Sequence, residues 1–209
     1  MRVLLDVGNN SKIMKKEYIY NKIELLSRES KIEFGFFCLL RVMDLYKIFD
    51  NFIIKESLCS HVEGEEGYTK LANILNETRD AIDTGKDSSN YEELLNKCYY
   101  LIPMDENCFG YEATIAQNIA GTMLFILKYI IEDNDKYIKL CIDNVIEIIN
   151  NLVSSQLKKK SGNVTEREYK LLLYDDEFKI ELTFIEMLLT NENLTSKHDY
   201  ISNHMISIG

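Results

Sequence analysis

A chain of 209 residues with 46% hydrophobic content can bury roughly 70% of its unfolded surface around a single core. Its 24 Lys and Arg against 34 Asp and Glu leave a formal net charge of −10, which repels phosphate backbones and anionic lipid headgroups and argues against nucleic acid or membrane as a direct ligand. One proline and nine glycines are few interrupters of helix, and five cysteines with no C-x-x-C spacing fit a reducing, cytoplasmic compartment rather than a disulfide framework.

Residues 1–14 read as a loose arm. Val3, Leu4 and Leu5 are followed at once by Asp6, too short an apolar run for a signal core, and Gly8, Asn9 and Asn10 form a turn-like cluster. From residue 15 to 28, Tyr18, Ile19, Ile23, Leu25 and Leu26 recur at mostly helical spacing. Ser30 with Glu33 then matches a capping box, in which each side chain satisfies an orphan amide at a helix start. The helix that follows, residues 31–52, is apolar almost all round, its only polar positions through the middle being Arg41, Asp44 and Lys47 on one narrow stripe, the signature of a core helix.

Charged, glycine-bearing sequence over 56–67 reads as a loop, and 68–82 as an amphipathic helix with Leu71, Ile74, Leu75 and Ile82 inward. Ser89 with Glu92 makes a second capping box, opening a short helix that ends before Pro103, since the residue preceding proline is pushed out of helical geometry. Residues 104–108 form a connecting loop. The next helix, 109–132, carries Ala113, Ala116, Ala120 and Gly121, small residues that let neighbours approach and place it at the centre. The longest apolar run of the chain, Ile119 to Leu127, stops at Lys128, short of the roughly 20 residues of a membrane span.

Ile138, Cys141, Val145, Ile148 and Leu152 step at three- and four-residue intervals along a further helix, closed by a basic loop at 158–163. A third capping box, Thr165 with Glu168, opens a last helix or helix pair reaching about residue 190, with an interruption near Asp175 and Asp176 its alternative form. The expected architecture is all-α: one antiparallel bundle of six or seven helices over residues 15–195, followed by an irregular tail at 196–209.

Candidate chemistry is sparse. Gly64 and Gly67 are flanked by Glu63, Glu65 and Glu66, which would repel a phosphate. The histidines, His61, His198 and His204, fall in loops or the tail, with Cys59 the only ligand-type residue near His61, too few for zinc. No Glu-x-x-His occurs, the motif of helical di-iron proteins. These readings give no catalytic residue, no metal site and no cofactor. Arg41 on an apolar helix must find a partner to offset its desolvation. Asp44, one turn on, is the structural answer, and a functional contact is the other.

Phe34, Arg41, Tyr46 and Phe49, then Ile102-Pro103 with acidic loop residues and Tyr111, then Glu177, Phe178, Ile180 and Glu181, and finally Ile206-Ser207-Ile208-Gly209 stand in an order that resembles the YjaG-like family of bacterial helical proteins. Asp44-Leu45 and Phe178 depart from its pattern. The resemblance implies an all-helical fold and brings no catalytic residues. The functional expectation is a non-enzymatic protein-interaction module, in the form of an immunity protein that occludes a basic toxin domain. Glu63, Glu65, Glu66, Asp175, Asp176 and Glu177 would face the partner and exposed tyrosines would anchor it. The alternative is a housekeeping helical protein, or a metal-dependent enzyme using the same carboxylates.

Overall fold

The computed structural model of the chain describes residues 15–56, 67–86, 88–103, 110–157 and 166–206, and every regular element among them is helical. After helical residues 15–24 (α1) come α2 (Arg28–Val42), a 3₁₀ turn (Met43–Leu45), α3 (Tyr46–Glu56), α4 (Gly67–Asp83), α5 (Ser88–Tyr99), α6 (Tyr111–Glu132), α7 (Lys136–Leu157), α8 (Glu166–Leu189) and α9 (Leu194–Asn203). The fold is all-α, with more helices than the six or seven expected.

Two differences account for the extra elements. The expected continuous helix over 31–52 is broken into α2 and α3 by the 3₁₀ turn. In an unbroken helix the Arg41 carbonyl would take the amide four residues on. Here it takes the amide of Ile206 at 2.8 Å instead, so a distant piece of chain replaces the missing helical bond. The second difference is α9, which lies largely in the stretch expected to be irregular. Asn193 caps it, its side chain accepting from the Ser196 amide at 2.8 Å. α8, conversely, runs through Asp175 and Asp176 without interruption.

Helix starts follow side-chain chemistry, at shifted positions. Ser27 rather than Ser30 is the N-cap of α2, its hydroxyl accepting from the Ser30 amide at 3.2 Å, because the chain turns at residues 25–26 after α1. At α4 the cap comes from another helix: the Gly67 and Tyr68 amides donate to Oδ1 and Oδ2 of buried Asp50 on α3, at 3.0 and 2.9 Å. A β-carbon at Gly67 would lie 2.6 Å from the Tyr46 ring, so this approach needs glycine. The third expected box, at Thr165, lies outside the described residues.

α6 is the central helix, in contact with α2, α3, α4, α5 and α7. It is long and apolar enough to cross a membrane, which the run ending at Lys128 does not suggest. Its neighbours bury Ala116, Ile119, Ala120, Met123, Ile126 and Leu127 completely. Close packing shows at Gly35 of α2, where an added β-carbon would come within 2.8 Å of Ile126 Cγ1. Along the other side of the core, Phe37 of α2 stacks on Phe184 of α8 with ring centroids 4.0 Å apart.

Candidate functional site

The most unusual chemistry lies inside the core, where α2, α8 and the end of α9 meet. The Arg41 side chain is 1% exposed. Its Nη1–H and Nη2–H both donate to the carboxylate of Glu177, the second at 2.7 Å, while Nε–H donates to the His204 carbonyl at 2.9 Å. The guanidinium also sits 5.1 Å from the centre of the Phe37 ring. Burial alone would weaken its hold on the proton, but the hydrogen bonds and charge of Glu177 outweigh that and raise its pKa.

Asp44 is therefore not Arg41's partner. The 3₁₀ turn carries it to the surface, where it accepts from Lys47 at 2.8 Å. Glu177, expected to face a partner, is buried at 3% exposure. The reason is the stripe it occupies: Glu177, Glu181, Phe184, Ile185 and Leu188 all point inward from α8. Two carboxylates hold positions that a periodic apolar pattern would fill, so the sequence reads as a wet face.

Glu181 is the second of these and is fully buried. Neither of its oxygens has a hydrogen-bond partner at ordinary geometry. Burial first, and the charge of Glu177 second, drive its pKa well above the ordinary carboxylate value, against a smaller opposing pull from Arg41. Burial therefore favours its neutral, protonated form. One Arg, one carboxylate and one protonated acid make a locally neutral cluster, the form in which buried charge is tolerable.

The remaining expected groups are scattered. Asp175 is half-exposed and pairs with Lys15 of α1 at 2.5 Å, and Asp176 is exposed, 3.4 Å from Lys179. Glu63, Glu65 and Glu66 lie outside the described residues, as do His61, Cys59 and Cys108. His198 is exposed on α9, and His204 ends that helix, its ring 4.1 Å from that of Tyr200. Cys38, Cys98 and Cys141 are buried, and burial pushes the Cys98 thiol up to about 12 and the other two up as well. Buried thiols of this kind behave as small apolar groups. Among the described residues no group of three or more His, Cys, Asp or Glu is placed to hold a metal ion.

The outer surface of the same region is concave. A half-open groove of about 910 Å³ runs between α2, α4 and α9, floored by Phe36, Leu40, Ile32, Ile82 and Ile201 and edged by Arg28, Arg79, Lys86 and Lys197. No sequence pattern marks it, because its residues come from separate helices. Arg41 helps to form it from beneath: by holding the His204 and Ile206 backbone, it fixes α9, one of the groove's walls.

No protein-family profile matches the chain, and neither the curated proteins nor the solved structures contain a match.

Proposed function

We propose that the chain is a non-enzymatic protein-interaction module of the cytoplasm that uses its acidic exterior to bind a basic protein, with an immunity protein occluding a toxin as the specific form. The observation that carries this reading is how the surface charge is distributed. Many of the chain's cations are tied into ion pairs: Lys15 with Asp175, Lys16 with Asp143, Lys31 with Asp135, Lys97 with Glu77 and Glu93, and Lys139 with Glu24. Asp80, Glu92, Glu186 and Asp199 are exposed with no cation paired to them among the described residues. Uncompensated negative charge of this kind steers a basic partner and raises its association rate.

Asp175 and Asp176 remain candidate contacts, together with Glu63, Glu65 and Glu66. Glu177 is withdrawn from that set by its burial. An antiparallel bundle and membership of the YjaG-like family belong to the same proposal. The all-helical fold supports the first of these, as does the short connection between α6 and α7, residues 133–135, which suits antiparallel neighbours.

Affinity capture of the tagged chain from its native cytoplasm, washed at low and then high salt, tests this reading. The expected result is one stoichiometric basic protein that is toxic when expressed alone. It should be released by salt and by joint charge reversal of Asp175 and Asp176 with the 63–66 cluster. Absence of any partner at both salt concentrations overturns it.

A further inference from the structure

We propose that the groove between α2, α4 and α9 is a binding site for a small amphiphilic monocarboxylate, with Arg79 as the residue that takes the carboxylate. This site is separate from the acidic surface invoked above and stands without it.

Four cations edge the groove, of which Lys86 is exposed to solvent. Arg28 is already engaged, donating from Nη2 to the Ile130 carbonyl at 2.7 Å and lying 3.4 Å from Asp133. Lys197 reaches Glu33 at 3.2 Å. Arg79 is different. It lies on the α4 wall, partly buried, with its guanidinium 5.1 Å from the centre of the Phe36 ring. No hydrogen bond or ion pair engages it among the described residues, although Asp83 stands one turn along α4. Its partial burial lowers its pKa below the usual arginine value, and the charge of Asp83 offsets that only in part.

A planar guanidinium held against an aromatic face, with its donors unused, is suited to a carboxylate taken by two parallel hydrogen bonds. The groove's other properties narrow the ligand. Its floor is aliphatic and aromatic, so the body of the ligand is apolar. A volume of about 910 Å³ is in the range of small-molecule sites. Glu29, Glu33 and Asp83 share the rim and disfavour a dianion such as a phosphate monoester, which leaves a single negative charge as the complement.

Dodecanoate below its micellar concentration is the probe, with binding followed by isothermal titration calorimetry on the whole chain. Acetate supplies the head alone, dodecanol the tail alone, and dodecyltrimethylammonium the opposite charge. The expected result is a 1:1 complex with dodecanoate that is at least tenfold tighter than with dodecanol, and undetectable binding of acetate. Arg79→Met should weaken dodecanoate at least tenfold while leaving dodecanol unchanged, and Leu40→Trp should weaken both by filling the trough. Circular dichroism of each variant verifies that it is folded. Failure of the unaltered protein to bind dodecanoate overturns the proposal. So does equal binding by a folded Arg79→Met protein, or binding of the cationic amphiphile as tight as that of the carboxylate.

Discussion

Replacing Glu181 with glutamine should remove a pH dependence that the fold builds into its own stability. In the unfolded chain Glu181 titrates near the ordinary value of a free glutamate, and in the folded chain well above it, because burial and then the Glu177 charge oppose ionisation while Arg41 only partly offsets them. Between those two values the folded state holds a proton that the unfolded state has lost. Stability must therefore fall as pH rises through that window, and it is fully present only below the unfolded value. One proton of difference changes the folding equilibrium constant about tenfold per pH unit. Glutamine has nothing to titrate and mimics the neutral acid, so the other carboxylates contribute alike to both proteins. Urea unfolding of the two at pH 5, 6 and 7 should show the ratio of folding constants, native over Glu181→Gln, dropping by about tenfold at each step while pH stays below the folded value. An amide in place of the acid shifts the ratio at every pH but not its slope. A ratio independent of pH would mean that Glu181 is ionised or hydrated in the folded protein, and the account of the cluster would be wrong.

The two candidate partners of Arg41 separate cleanly by mutation. Glu177→Ala strands a buried guanidinium and should cost about 3–5 kcal/mol, lowering the thermal midpoint by roughly 2–4 °C per kcal/mol for a chain of this size. Asp44→Ala breaks a solvent-exposed pair and should move stability by less than about 1 kcal/mol. Comparable losses in calorimetry would refute the assignment of Glu177. Asp50→Ala removes the acceptor for the first two amides of α4 and should cost about 1–2 kcal/mol, with faster amide exchange at Gly67 and Tyr68. Unchanged exchange there would contradict capping from α3.

Helix content was legible from composition, capping residues and three- to four-residue spacing. The core positions Ile19, Ile23, Leu71, Ile74, Ile138, Cys141 and Val145 are buried as their spacing implies. What could not be read was long-range. Arg41 demanded a partner, and sequence offered the nearest acid, whereas the fold supplied one 136 residues away. Nothing local marks that choice, because pairing at such distance is set by how helices pack. A weaker signal did exist on α8, where Glu177 and Glu181 stand one turn apart in line with Phe184 and Leu188. Reading that stripe as buried needs the Arg41 requirement and the α8 pattern to be considered together. The groove left no trace at all, since α2, α4 and α9 each contribute only part of it.

The Arg41 cluster also bears on biosynthesis. Arg41 leaves the ribosome well before its partners, since the carboxylate that neutralises it and the carbonyl that takes its Nε–H come 136 and 163 residues later. Until then α2 holds a cation that no earlier contact in the cluster can neutralise, and closing its final packing would strand that charge. Residues 28–153 supply much of the apolar core, but a nascent chain of that length should remain open on the α2 side and accessible to chaperones. Completion of this core is in effect a late quality check: the arginine admits tight packing only once α8 and α9 have been made and have docked.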